Sequence, residues 1–388
     1  MAFWLSLAML AVSCRSNRIG SQKPLSPEDV PAAIERARTL PLQTADDKEL
    51  AKVVGEMIRA SKSPLETSER VVVRQLLERS AEELGRRGNR PADLEDLSQA
   101  ELPARIAVPA GLRAARLLFQ DEERSDAFGL IRRLDQRYPS HALRNEAGDL
   151  LYEIGTSYRL DKRRKFFLFP YSVQAPSVLE YLSSEYPTHE KVDDALVDLA
   201  KLYEDDRLFD IAIDKHKELV LWARDSVHRV ASEAAIPRLR LADLDGPEYA
   251  RDELVQALSE LELWIQTYRQ HELRPEVDRT LVDCLQRLAD NDLVVAEFYA
   301  RVKNPTGARQ HAARGLEFAR RSGNEEQEAE FLAFLESVDE IERVDAPRVL
   351  PTDLDVPDVF NPGGTGTTTP GDLAPASRVD AERRELDR

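Results

Sequence analysis

Cysteines, aromatic residues and long apolar runs are scarce in this chain of 388 residues. The chain has two cysteines, Cys14 and Cys284, and because Cys14 lies near an N-terminus with the features of a processed one, the sequence provides no disulfide framework. Aromatic residues make up 6% of the chain and charged residues 32%, a composition that favours long solvated helices over sheets. The apolar run at residues 1–13 is too short to cross a bilayer as a helix.

An excess of positive charge is also absent, because the formal net charge is −17. Such a chain repels phosphates, and no basic stripe with interleaved aromatic residues offsets the repulsion, so nucleic acid is not expected as a partner. The six histidines show no metal-binding spacing, and no nucleotide-binding loop or serine-nucleophile motif occurs. The sequence therefore predicts no metal, no cofactor and no catalysis.

The sequence does contain a repeated feature, which is a joint where one helix ends at Tyr-Pro, a short turn follows and a second helix begins. Tyr138-Pro139 and Tyr186-Pro187 each end an amphipathic helix, because proline lacks the amide hydrogen that would continue it. The residues before the two joints have the same spacing, with a small residue followed by apolar ones four, seven and eleven positions later: Ala127, Ile131, Leu134 and Tyr138, then Ala175, Leu179, Leu182 and Tyr186. This spacing is typical of the second helix of a tetratricopeptide unit.

First helices of such units are expected to carry a small residue with an aromatic one three positions later. Three pairs fit that rule: Gly155 with Tyr158, Ala200 with Tyr203, and Ala296 with Tyr299. We call the contact face between the paired helices of a unit the seam. In the third unit we expect four residues of the second helix to fill it: Phe209, Ala212, Leu219 and Trp222. The sequence thus predicts an all-α fold, a tetratricopeptide-repeat α-solenoid of about five helix pairs at residues 104–323, followed by a capping helix at 324–344.

An N-terminal helical extension is predicted at residues 27–103. Ser26 is expected to cap its first helix, and further helices are expected at about 46–61 and 66–87. The last of these is predicted to bury one stripe of residues: Val71, Val72, Leu76, Leu77, Ala81 and Leu84. Residues 89–102 are polar and bounded by prolines, which predicts a hinge. The extension either caps the first repeat or forms a separate docking piece.

The two ends of the chain differ from the helical part. Residues 1–13 end in Ala-Val-Ser before Cys14, which resembles a bacterial lipoprotein signal and predicts that Cys14 is a lipid attachment site. An ordinary signal peptide with an incidental cysteine is the alternative. Residues 14–26 are then a flexible tether. Residues 345–388 are rich in Pro, Gly, Thr and Asp, and are predicted to be a disordered tail.

Three segments of the array resemble the BamD family of outer-membrane β-barrel assembly lipoproteins. Residues 186–196 are similar to the joint between the family's second and third repeats, and the similarity resumes at residues 249–264. Residues 288–299 (LADNDLVVAEFY) are similar to the first helix of its fifth repeat. The resemblance covers about residues 104–320.

The resemblance implies a non-enzymatic scaffold lipoprotein, anchored by its lipid to the periplasmic face of the outer membrane. Implied partners are the barrel-forming subunit, other assembly lipoproteins and unfolded outer-membrane proteins. By family likeness, contacts with the barrel-forming subunit lie near Tyr299, Arg301 and Arg314, and contacts with unfolded substrates lie near Tyr158 and Arg159.

Two other functions remain open at this point. One is a general tetratricopeptide lipoprotein that scaffolds a different cell-envelope complex. The other is a solenoid enzyme, such as a peptidoglycan transglycosylase, although no segment has the length and pattern of its catalytic domain. The basic and Phe-rich insertion at residues 162–171 suits a membrane interface or a partner groove, or else folds onto its own repeat.

Overall fold

The computed structural model describes residues 23–161, 164–165, 169–170, 174–244, 246 and 251–345. The predicted signal peptide, Cys14, most of the tether and of the insertion, and the tail beyond Asp345 lie outside the described residues. The chain divides into two compact units, residues 1–340 and residues 341–388. The architecture below is that of the first unit, and the second contributes to the described residues only the last turn of a helix.

Helices make up nearly all of the described residues. The N-terminal region contains α1 (Val30–Thr39), α2 (Asp47–Ser61), α3 (Thr67–Arg87) and α4 (Pro91–Gln99). The following helices are α5 (Ala104–Gln120), α6 (Arg124–Arg137), α7 (Arg144–Leu160), α8 (Ala175–Glu185), α9 (Val192–Asp205) and α10 (Phe209–Trp222). The last five are α11 (Arg229–Asp243), α12 (Arg251–Thr267), α13 (Arg274–Arg301), α14 (Pro305–Ser322) and α15 (Glu325–Asp345).

Helices α5 to α14 form five consecutive pairs. Within four of them, α5 packs on α6, α7 on α8, α9 on α10 and α11 on α12, while α13 and α14 form the most extensive pair. Successive pairs also contact one another, since α8 packs on α9, α10 on α11 and α12 on α13. The protein is therefore an all-α tetratricopeptide-type solenoid of five helix pairs, which confirms the predicted fold class.

The two joints identified in the sequence have the predicted packing. Ala127, Ile131 and Leu134 of α6 and the equivalent residues of α8 are all almost completely buried. Gly155 of α7 lies so close to α8 that an added Cβ would come within 2.5 Å of the Leu179 side chain. A small residue at this position therefore lets the paired helices approach closely.

The third unit departs from the predicted seam at its end. Trp222 is 76% exposed, whereas it was expected to be buried. Helix α10 ends at Trp222, and Ala223 is its C-cap, so Ala223 occupies the position that Tyr138 and Tyr186 hold in the first two units. Counting back from Ala223 places Leu219, His216 and Ala212 in the seam, and all three are buried.

His216 therefore takes a seam position that is apolar in the neighbouring units. Its Nδ1 lies 3.0 Å from the Ser232 hydroxyl, so the next unit supplies a hydrogen-bond partner. Burial lowers the pKa of His216 to about 4, although the nearby Glu204 carboxylate opposes the shift. At neutral pH the ring is then uncharged and packs like the apolar side chains of the other units.

A histidine turn closes three of the units. In the first, the Tyr138 carbonyl accepts from the His141 amide at 3.2 Å, and His141 Nδ1 accepts from the Leu143 amide at 3.2 Å. His189 and His271 make the same pair of hydrogen bonds in the second and fourth units. His141 and His189 thus stabilise the turns that follow the joint prolines, and His271 shows that the turn does not require proline.

A buried carboxylate joins the first two units. Asp135 of α6 accepts from the Tyr186 hydroxyl at 2.7 Å, from the Tyr181 hydroxyl at 2.9 Å and from His141 Nε2 at 3.1 Å. Burial acts to raise the pKa of the Asp135 carboxyl, but the hydrogen bonds from His141 and the two tyrosines outweigh it and hold the pKa below its ordinary value. Burial and the Asp135 charge raise the pKa of both phenols, so they remain protonated donors.

The N-terminal helices pack against the array rather than apart from it. Their buried apolar residues belong to one cluster that continues into α10, and both α3 and α4 contact α5. Of the two alternatives for the extension, the structure thus shows one that covers the first repeat. Helices α2 and α3 confirm the segments expected at about 46–61 and 66–87.

Three predictions for the extension were wrong in detail. The first helix begins at Val30, because Ser26 lies in the preceding turn, where its hydroxyl donates to Asp29 at 2.6 Å. In α3 the buried face includes Val73, whereas Val71 is 52% exposed. Residues 89–102 are not a hinge, since they contain α4.

Helix α4 was missed because most of its side chains are polar. Its two leucines, Leu94 and Leu97, are fully buried, and Asp93 and Asp96 are 5% and 4% exposed. Burial raises the pKa of Asp93, while Arg90, 3.2 Å away, acts in the opposite direction. Because two buried positions of this helix are aspartates, hydrophobic periodicity does not identify its buried face in the sequence.

A short hairpin interrupts the second unit between α7 and α8. Strands β1 (Arg164–Lys165) and β2 (Phe169–Pro170) pair antiparallel, with Arg164 opposite Pro170 and Lys165 opposite Phe169. The hairpin lies in the insertion that lengthens this unit relative to a standard repeat.

Candidate partner-binding surface

The turn between α13 and α14 is built by local backbone preferences. Lys303 has a φ of 56°, so the chain reverses through a left-handed residue after α13 ends. Asn304 caps α14 by accepting from the Gly307 amide at 3.0 Å, and Pro305 occupies the first turn, where an amide hydrogen is not needed. The two helices thus lie antiparallel along much of their length.

A buried carboxylate fixes the fifth unit to the fourth. Asp292 of α13 is 0% exposed. The Arg314 guanidinium of α14 donates to its two oxygens at 2.5 and 2.9 Å, and Arg251, at the start of α12, lies 3.0 Å from it. His311 Nδ1 lies 3.1 Å from the same carboxylate. The hydrogen bonds with Asp292 raise the pKa of Arg314, so this guanidinium stays charged.

Tyr299 belongs to the same site through His311. The two rings stack with centroids 5.4 Å apart and planes 22° apart. Gly307 makes room for the phenol, because a Cβ at that position would lie 2.8 Å from the Tyr299 ring. The structure therefore brings Tyr299 and Arg314 together around His311 and Asp292, as members of a packed cluster.

Exposed apolar and basic side chains lie at the end of α13 and in the turn that follows it. Phe298, in the last turn of α13, is 52% exposed, and Val302, the C-cap residue that follows the helix, is 54% exposed; Arg301 between them is exposed as well. From Tyr299 to Arg321 the sequence has six Lys or Arg residues and one acidic residue, Glu317. In a chain of net charge −17, this segment is a local reversal of sign. We call Phe298, Arg301, Val302, Lys303 and Arg314 the α13–α14 surface.

The α13–α14 surface suits an acidic, partly apolar protein segment. Exposed large apolar residues rimmed by charges are typical of protein interaction sites. The side chain of Arg314 is 40% exposed although its guanidinium is bound to Asp292. One carboxylate does not balance two guanidinium groups, so positive charge remains at the surface of the cluster.

The other two candidate residues lie elsewhere, on α7. Tyr158 is 3% exposed, and the Arg124 guanidinium lies 5.3 Å from the centre of its ring. The Arg159 guanidinium lies 3.2 Å from Asp198 on α9, with 29% of its side chain exposed. Tyr158 thus belongs to the core of the second unit and Arg159 links the second unit to the third. Their role in substrate contact stays a prediction.

Other predictions concern the membrane and metal ions. Cys14 lies outside the described residues, so its acylation stays a prediction. Within the described ranges, no helix combines the length and the apolar content that crossing a bilayer requires. Those ranges also contain no group of three or more His, Cys, Asp or Glu side chains arranged to hold a metal ion.

Sequence reasoning missed the centre of the site. Asp292, His311 and Arg251 were not singled out, because their relation depends on the packing of α12, α13 and α14. One available signal was the reversal of charge after Tyr299. A second was Gly307, a glycine in the first turn of a helix, where close approach of another side chain is one reason for its presence.

Comparison with known proteins leaves the family open. No protein-family model matches the sequence, and no curated protein sequence matches it. Among solved structures, the chain is similar to the apo form of RapI, with 11% identity, a TM-score of 0.26, and coverage of 82% of this chain and 97% of that one. It is also similar to the P58(IPK) TPR domain, with 14% identity, a TM-score of 0.20 and coverage of 82% and 80%.

A third solved structure is a Rap protein complexed with competence and sporulation factor, with 10% identity, a TM-score of 0.23 and coverage of 82% and 87%. Similarities this remote carry no argument about function. The description of this chain as an array of helix pairs therefore rests on its own packing.

Proposed function

We propose that this protein is a scaffold of the outer-membrane β-barrel assembly machinery, and that its α13–α14 surface binds the barrel-forming subunit. The single observation that supports the proposal is the exposed pair Phe298 and Val302 with basic neighbours, in the segment that resembles the fifth repeat of the BamD family. Scaffolding is a non-catalytic task that fits a stack of helix pairs.

Each part of the α13–α14 surface has a task in this proposal. Phe298 and Val302 provide apolar area that loses contact with water on binding. Arg301 and Lys303 select an acidic segment and reject a basic one. Tyr299 and Arg314 hold the turn in place through His311 and Asp292, so the surface exists before the partner arrives and binding loses little entropy in ordering it.

The remaining parts of the proposal concern location and substrate. Acylated Cys14 anchors the protein to the periplasmic face of the outer membrane, together with other assembly lipoproteins. Unfolded outer-membrane proteins bind near Tyr158 and Arg159. Labelling cells with a radioactive fatty acid tests the anchor, because the label should be lost in a Cys14→Ser variant and retained in the wild-type chain.

The test of partner binding is co-purification from detergent-solubilised membranes, with the barrel-forming subunit quantified by mass spectrometry. We expect the double variant Phe298→Gln/Arg301→Glu to weaken its recovery by about tenfold or more, as loss of a central apolar contact does. Val71→Gln is the matched control, because Val71 is 52% exposed and lies on α3.

Two results would decide against the proposal. One is recovery of the barrel-forming subunit unchanged by the double variant. The other is steady levels of outer-membrane barrels after depletion of the protein. If a different set of envelope proteins co-purifies and depends on Phe298, the protein scaffolds another cell-envelope complex.

A further inference from the structure

The joint between the third and fourth units carries an apolar edge that the fold does not require. Leu221 is 58% exposed, Trp222 is 76% exposed and Val227 is 87% exposed. In the other joints, the position of Trp222 is taken by Arg137, Glu185 and Thr267, the last residues of α6, α8 and α12. A polar residue therefore serves at this position elsewhere, and tryptophan needs another explanation.

The turn that presents this edge is held firmly. The Ala223 carbonyl accepts from the Ser226 amide at 3.0 Å, and the Ser226 hydroxyl donates to Asp193 at 2.7 Å on α9. His228 Nε2 lies 2.9 Å from Asp194, which attaches the end of the turn to α9 as well. Trp222 and Val227 thus project from an ordered turn.

We propose that Leu221, Trp222 and Val227 insert into the surface of a lipid membrane and set the orientation of the helical array against it. Tryptophan prefers the boundary between acyl chains and water, since its ring is apolar and its indole N–H still finds a partner there. The proposal rests on the proposed attachment of the chain to a membrane, since three side chains alone give weak and reversible binding.

The size of the edge favours a membrane over a protein partner. Three partly exposed side chains amount to an area on the order of a few hundred Å². A stable protein interface buries about 800 Å² on each partner and needs a complementary surface. A membrane accepts a protruding apolar tip without such a surface.

The charge around the edge is also compatible with an anionic membrane. From Lys215 to Arg229 there are four basic and two acidic residues, and Asp193 and Asp194 of α9 contact the same turn, so four charges of each sign lie there in a chain whose net charge is −17. Several of these charges are neutralised locally, since Lys215 lies 3.2 Å from Glu218 and Arg229 lies 2.9 Å from Glu233. Electrostatic repulsion from an anionic surface is therefore weak here.

The cysteines allow a test that does not depend on natural acylation. Cys284 is buried, and burial raises the pKa of its thiol to about 12, so it does not react with a maleimide at neutral pH. Unacylated full-length protein should therefore couple through Cys14 to maleimide-headgroup lipid in vesicles of phosphatidylethanolamine and phosphatidylglycerol. A Trp4→Phe background removes the tryptophan nearest the attachment point.

Trp222 then reports insertion directly. The remaining tryptophan, Trp264, is only 3% exposed and serves as the internal reference. We expect the emission of Trp222 to shift to shorter wavelength on coupled vesicles and to be quenched when the acyl chains are brominated. Trp222→Arg should abolish both signals, and Leu221→Gln/Val227→Gln should reduce the quenching, whereas Val71→Gln should leave it unchanged.

Equal Trp222 emission with brominated and unbrominated lipids on the coupled protein would overturn the proposal. So would quenching that persists in full in Leu221→Gln/Val227→Gln. Self-association in sedimentation velocity that Trp222→Arg abolishes, without quenching, would assign the edge to a second copy of the chain. Because coupling replaces natural acylation, failure here is distinguishable from failure of the fatty-acid labelling at Cys14.

Discussion

Two buried aspartates link neighbouring units of the array, but their partners differ in charge. Asp135, in the first unit, accepts hydrogen bonds from the hydroxyls of Tyr181 and Tyr186. Asp292, in the fifth, is bound by the guanidinium groups of Arg251 and Arg314. The Arg144 guanidinium lies 3.9 Å from Asp135, beyond hydrogen-bond distance, so the first carboxylate faces at most one guanidinium and its direct donors include uncharged hydroxyls. Two guanidiniums bind Asp292 directly and leave an excess of positive charge, so the second cluster also gives the surface its sign.

The largest expected effect is that of neutralising each aspartate in turn. Asp292→Asn leaves two guanidiniums close together without a counter-charge, so we expect a loss of about 3–5 kcal/mol in the free energy of unfolding. Asp135→Asn keeps an oxygen that accepts from the phenols, and should cost about 1–3 kcal/mol. Urea denaturation at neutral pH measures both, with Glu297→Gln on the exposed face of α13 as control. A cost for Asp135→Asn equal to or above that for Asp292→Asn would contradict the comparison.

Removal of a single hydroxyl tests the neutral cluster. Tyr186→Phe deletes a hydrogen bond to the buried Asp135 carboxylate, and we expect it to cost about 1.5–3 kcal/mol. Tyr138→Phe is the matched control, since Tyr138 closes the preceding unit but donates to the uncharged Leu102 carbonyl at 3.1 Å. Its cost should be about 0.5–1.5 kcal/mol. The interpretation of Asp135 as a charged acceptor fails if the two variants are equally stable in urea.

Acid should remove the contribution of Asp135 in a defined direction. Its native pKa lies below the ordinary value of 3.8, so the unfolded chain binds a proton first as pH falls. The stabilisation is complete above pH 3.8 and is lost as pH falls through the native pKa, at about 1.4 kcal/mol for each unit of pKa difference. Urea titrations between pH 3 and pH 6 should show the difference between wild type and Asp135→Asn shrinking at the acid end.

Asp198 should affect the pH dependence of stability in the opposite direction, and it is the control for that titration. Burial raises the pKa of its carboxyl, and the Arg159 guanidinium only partly opposes the shift. The native state of Asp198 therefore binds a proton more tightly than the unfolded state, and protonation favours folding. As pH falls, the free energy of unfolding of the wild type should therefore rise relative to that of Asp198→Asn. Parallel pH profiles for the wild type and both variants would show that neither carboxylate has a shifted pKa.

The sequence was sufficient for the helix pairs and insufficient for the clusters that join them. The residues from Ala127 to Tyr138 belong to one helix, and their spacing recurs from Ala175 to Tyr186, so periodicity alone identified the pattern. Asp292 contacts Arg251 and His311 only once α12, α13 and α14 have packed together, and no local sequence pattern predicts such contacts. Trp222 was misplaced for a related reason, because an aromatic residue at the end of an apolar helix resembles the closing tyrosine and is one position out of register with it.

The smallest expected effect is that of Arg314→Lys, which tests the hydrogen bonds of Arg314 separately from its charge. Arg314→Lys keeps the positive charge but loses the fork that reaches both oxygens of Asp292, so we expect a cost of about 0.5–1.5 kcal/mol in urea denaturation. Recovery of the barrel-forming subunit should stay near the wild-type level, because the charge of the α13–α14 surface is unchanged. Arg301→Lys, on the exposed side of α13, should change neither quantity. If Arg314→Lys instead abolished recovery at unchanged stability, the guanidinium itself would contact the partner, and the difference between the two aspartate clusters would not lie in net charge.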